Sequence, residues 1–119
     1  MQETIATAAD VLAFWQAAGN DRWFAKDAAF DAEIRARFLA THEAAARGEL
    51  AGWQDTPAGA LALVILLDQF PRNMFRGDAR AFAADPLARQ VAERAIARDF
   101  DMKVAADVRQ FLYLPFEHS

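Results

Sequence analysis

Residues 60–73 read ALALVILLDQFPRN, and this stretch limits the folds open to the chain more than any other. The segment from Ala60 to Leu67 has no polar side of its own, so it needs neighbours on every face to keep it from water. It is far shorter than the roughly 20 residues that cross a bilayer, so those neighbours must be protein. Thr56 and Pro57 ahead of it have the order of an N-cap followed by proline at the first helical position, which predicts a central helix over Pro57 to Phe70. Pro71 has no amide hydrogen and collides with the preceding turn, so the helix is expected to end or kink at Phe70.

The rest of the chain supplies helices to surround it. Thr7 and Asp10 form a capping box for a helix from Ala8 to Ala18, whose apolar stripe is Val11, Leu12, Trp15 and Ala18 and whose stop is Gly19. A loop, NDRWFAKD, follows. Asp27 caps a second helix with Phe30, Ile34 and Phe38 inward and Asp31, Glu33, Arg35 and Glu43 outward, ending at Gly48. Trp53 is expected to plug the core from the next connector. A short turn from Asp78 to Ala84 leads to Asp85-Pro86, a second cap-then-proline start, for a helix with Leu87, Val91 and Ala95 on one face. Asp101 should cap a last helix carrying Val104, Val108, Phe111 and Leu112, which stops near Leu114 because the residue before Pro115 is pushed out of the helical region. No stretch alternates as a strand does. The expectation is one all-α domain over residues 1–119, with about five antiparallel helices.

Composition removes several classes of function. With 17 acidic residues against 13 basic ones and a net charge of −4, the chain lacks the clustered surplus of Lys and Arg that neutralises phosphates, so no nucleic-acid partner is expected. It has no cysteine, hence no disulfide, thiol nucleophile or thiolate metal site. The N-terminal stretch has neither the basic start nor the apolar centre of a signal peptide, which points to a soluble cytoplasmic protein without a membrane partner. There is no glycine-rich phosphate loop, zinc-protease motif or paired Glu-x-x-His, and Asp68, Asp78 and Asp85 do not have calcium-loop spacing. No cofactor and no metal are expected.

The chemistry concentrates in Asp68, Gln69, Arg72, Asn73 and Arg76. Asp68 falls on the helical face of Leu61, Val64 and Ile65, so its carboxylate points toward the core and needs a compensating charge, for which Arg72 or Arg76 is nearest. One reading is a structural knot at a helix end. The other is an anion site in which Arg72, Arg76 and Arg80 converge. Proton transfer would call on His118 or, less readily, His42, which extends the Phe38 side of its helix as a helix-end or interface residue. Trp23 and Phe24 are adjacent and face different ways, so either one of them lines a groove or both are buried from the loop.

The order of WF at Trp23, FDAEIRARF at Phe30 to Phe38, LLDQFPRN, RAFAADPLA and the closing LPFEHS resembles the bacterial family called domain of unknown function 924, from Trp23 to Ser119. The resemblance implies a tetratricopeptide-like all-α fold and no established activity, substrate or cofactor. The residues themselves show no repeat of about 34 positions. Family members continue past HS with further helices. On that ground Phe111, Leu112, Leu114 and Phe116 are expected to form a self-association surface and the chain a homo-oligomer. The leading functional expectation is a non-catalytic helical module that binds a protein or peptide. The alternative is a small-molecule enzyme or sensor that holds an anion with Arg72 and Arg76 and moves a proton with Asp68 or His118.

Overall fold

A computed structural model describes residues 4–118. The first helix, α1 (Ala8–Ala18), carries the expected capping box: the Thr7 hydroxyl accepts from the Asp10 amide at 3.1 Å and the Asp10 carboxylate from the Thr7 amide at 3.0 Å. Gly19, at φ 71°, closes it. The expected loop is shortened by a further helical turn, α2 (Asn20–Trp23), because the amides of Arg22 and Trp23 both return to the Gly19 carbonyl. The next helix, α3 (Ala28–Ala46), is capped by Asp27 and buries Phe30, Ile34 and Phe38.

The central helix starts as α4 (Pro57–Val64), capped by Thr56, and every residue from 59 to 71 is buried. Both α1 and α6 (Asp85–Ala97) pack against it. Of the two outcomes expected at Phe70, an end or a kink, the helix does not take the first: it continues past Phe70 through an irregular turn. Residues Ile65–Gln69 open into a π-turn in which the Phe70 amide bonds to the Ile65 carbonyl, five residues back, and the helix continues as α5 (Phe70–Met74), against which α3 packs. The extra residue widens the turn where the Pro71 ring would otherwise meet the carbonyl four residues before it. Proline is thereby absorbed inside a helix.

Two further expectations are corrected. Helix α6 begins at Asp85, yet no side chain caps it, because the Asp85 carboxylate is bound to Arg72 instead. The helix expected from Asp101 is replaced by two short 3₁₀ turns, Phe100–Lys103 and Arg109–Leu112, followed by the single turn α7 (Leu114–Glu117). The Arg109 guanidinium donates to the carbonyls of Asp101 at 2.7 Å and Val104 at 3.3 Å, taking acceptors that a continuous helix would have used. The Asp101 carboxylate accepts from the Tyr113 hydroxyl at 2.6 Å.

Phe111 and Leu112 are fully buried in the core, so they do not present a self-association surface; Leu114 and Phe116 are half-buried against it. Trp53 is half-buried over the same core. The described residues form helices and turns without strands, and no described helix is long and apolar enough to cross a membrane.

Candidate functional site

The π-turn decides where two polar groups go. Asp68 sits within it and is 0% exposed. Gln69 Nε2 donates to Asp68 Oδ2 at 2.8 Å, and Arg72 Nη1 donates to the Asp68 backbone carbonyl and lies 3.4 Å from Oδ1. His118 Nδ1 stands 2.9 Å from the same Oδ1. A carboxylate accepts and does not donate, so Nδ1 carries the hydrogen and Nε2 is the ring nitrogen left over. Arg72 also grips Asp85 with two parallel bonds of 2.9 Å each. The buried carboxylate thus has both a compensating charge and a full set of donors, as burial requires.

The second polar group is the Leu66 carbonyl. In an α-turn it would accept from the amide of Phe70, but that amide goes to Ile65; in a π-turn it would accept from residue 71, which is proline. His42 takes its place, with Nδ1 3.0 Å from the Leu66 oxygen. The carbonyl can only accept, so His42 is protonated on Nδ1. Burial holds its pKa below the ordinary histidine value, outweighing the opposite effect of the Leu66 bond.

A second knot joins α3 to α5. Asp31 accepts from Asn73 Nδ2 at 2.9 Å and from Arg76 through Nε at 2.8 Å and Nη2 at 3.2 Å, a pairing that raises the Arg76 pKa. Arg35 donates to the Met74 carbonyl at 3.0 Å, satisfying the helix end. Arg80 pairs with Glu43 at 3.3 Å and lies over the Phe75 ring at 4.0 Å. Arg72 therefore faces Asp68 and Asp85, Arg76 faces Asp31 and Arg80 faces Glu43, so the three do not converge on one anion. Trp23 is 7% exposed, with its indole donating to the Trp15 carbonyl at 2.7 Å, and belongs to the core; Phe24, 59% exposed, is the one of the pair that faces out.

Arg35 is exposed, as expected, while also donating to the Met74 carbonyl, whereas Asp31, expected to face outward, has a side chain only 16% exposed and belongs to the polar framework. The signal at Asp31 was present: it lies within a helical turn of the Phe30–Ile34 stripe, at the edge of the buried face. Asp68, Asp85 and His118 place potential ligand atoms within 4.8 Å of one another. The Arg72 guanidinium bonds both carboxylates, so it supplies in this cluster the positive charge a metal ion would bring.

The cluster is not sealed. Asp85 and His118 line a pocket of about 340 Å³ together with Arg89, Gln90, Glu93 and Pro115. The His118 side chain is 25% exposed, while its Asp68 partner is wholly covered.

Fold and site define the chain as an all-α protein built round a central helix with a π-turn that holds a buried aspartate against a histidine at a pocket wall. It belongs to the bacterial family of unknown function DUF924, whose profile matches residues 11–119. A solved protein of unknown function from Agrobacterium tumefaciens is similar, at 55% identity and a TM-score of 0.92. The match covers 94% of this chain and 64% of that one, so this chain spans less than two thirds of that relative's length. No protein with a curated description matches.

Proposed function

We propose that the pocket beside His118 binds a small polar molecule and that His118, oriented by Asp68, exchanges a proton with it. The observation that carries this reading is the pairing of a fully buried carboxylate with a histidine that lines an open pocket. A carboxylate bonded to Nδ1–H fixes the tautomer and stabilises the imidazolium formed when Nε2 takes a proton. Arg89, Gln90 and Glu93 supply donors and acceptors at the same wall, and the volume lies within the range of small-ligand sites. The location of Asp68 in a π-turn also fits, since such turns are frequent at functional sites.

The test is a thermal-shift screen of small carboxylates, phosphates, sugars and amines against the parent, His118→Gln and Asp68→Asn. A compound that stabilises the parent and loses its effect in a well-folded His118→Gln supports the reading. A compound whose effect survives in His118→Gln, or no effect across the screen, overturns it.

A second reading is a tetratricopeptide-like interaction module for a protein or peptide, favoured by Phe24. This exposed ring stacks on the buried Phe111 at 6.1 Å, a rigid aromatic anchor of the kind found in partner sites. Concentration-dependent light scattering by the parent that disappears in Phe24→Ser would support self-association through this ring; unchanged monomeric scattering would remove it. Either reading fits the cytoplasmic setting expected from the N-terminal stretch.

A further inference from the structure

His42 has a use that the site around Asp68 does not explain. It is 5% exposed, yet it lines a separate pocket of about 420 Å³ with Glu43, Arg47, Arg80, Ala84 and Leu87. Its Nδ1–H is committed to the Leu66 carbonyl, and Nε2 makes no hydrogen bond among the described residues. That leaves a lone pair on a residue of the cavity wall, on a ring whose protonation burial disfavours.

The groups around it are charge-complementary in a specific way. Glu43 and His42 Nε2 are both acceptors, and each lies on α3 one residue from the other. Arg80 and Glu43 are close enough to act electrostatically on the His42 ring, with Arg80 disfavouring and Glu43 favouring its protonation. Arg47 and Arg80 are donors at the rim. Their present partners, Glu49 and Glu43, are in exposed ion pairs with about half of each side chain in solvent, and such pairs exchange at little cost. Ala84 and Leu87 make an apolar wall.

Two acceptors beside two guanidinium groups and an apolar wall suit a small zwitterion with an aliphatic side chain. We propose that this second pocket binds a free α-amino acid with a small aliphatic side chain. The ammonium donates to His42 Nε2 and Glu43, the carboxylate accepts from Arg80 and Arg47, and the side chain rests on Leu87 and Ala84. The pocket is distinct from the one at His118, so it stands or falls independently of the function proposed above.

The experiment follows the His42 ring nitrogens by ¹⁵N NMR in the full chain while L-valine is added, with isovalerate and isobutylamine as probes lacking the ammonium and the carboxylate respectively. The expected result is a saturable shift of Nε2 with L-valine, about tenfold weaker binding of either half-molecule because a charge-assisted bond is lost, and a similar weakening in Arg80→Gln. His118→Gln leaves the titration unchanged. The proposal is overturned by the absence of a saturable shift with L-valine, glycine, L-alanine and L-leucine alike, by half-molecules that bind as well as the amino acid, or by undiminished affinity in Arg80→Gln. Arg80 is an exposed side chain, so this variant reports on the pocket and not on folding.

Discussion

Asp68 gathers three polar side chains around one buried carboxylate, with Gln69, Arg72 and His118 all donating to it. Arg72→Ala would leave a buried carboxylate without its compensating cation, so a loss of about 3 kcal/mol is expected, read as a lower urea midpoint at unchanged slope. Asp68→Asn is expected to cost about 2 kcal/mol, because its new amide hydrogens must face groups that are themselves donors. Parent-like stability in both would show that the fold does not need the pair. At His42 the expected signature is a pH dependence. Its folded pKa lies below the ordinary value of 6.5, so near and below that value the unfolded state binds more protons. The stability contributed by the neutral ring is therefore present above 6.5 and declines as the pH falls toward the folded pKa. Urea midpoints between pH 7.5 and 5 should fall less steeply in His42→Gln, whose amide still donates to Leu66 but does not titrate; parallel slopes would refute this.

At the scale of the element, the caps at Thr7, Asp27 and Thr56 were legible because a cap is a local arrangement of three or four residues. The outcome at Pro71 was not. Whether a proline ends a helix or is absorbed depends on who takes the carbonyl it orphans, and here that is His42, 24 positions before Leu66. The break between residues 101 and 114 was hidden for a related reason: Arg109 competes for backbone acceptors with a side chain, which apolar periodicity does not register. The inward direction of Asp68 was readable from its spacing to Leu61, Val64 and Ile65. Its partnership with His118, 50 positions away, belongs to tertiary structure. The π-turn account makes a prediction by double-mutant cycle. Alanine at 71 restores an amide five residues after Leu66, so His42→Leu should cost about 1–2 kcal/mol in the parent and about 1 kcal/mol less in Pro71→Ala. Equal costs in the two backgrounds would show that His42 is not replacing the missing proline donor.

For the whole molecule, the same contacts tie distant parts of the chain together: Asp31 to Asn73 and Arg76 fastens α3 to α5, and His118 to Asp68 fastens the last turn to the centre. In His118→Ala, hydrogen exchange should quicken over residues 109–117 while α1, α3 and α4 keep their protection. Uniform acceleration would mean that His118 supports the entire fold, and no change would mean that Pro115 and the half-buried Phe116 hold the segment alone. Both histidines of the chain lean on the turn between Ile65 and Gln69, one through a carbonyl and one through a carboxylate. Removing one residue from that turn would rotate everything after it by about 100° around the helix axis, carrying Arg72 off Asp85 and Asn73 off Asp31 at one stroke. The segment acts as a spacing gauge: a changed side chain disturbs one bond, whereas a changed length misaligns two binding surfaces together.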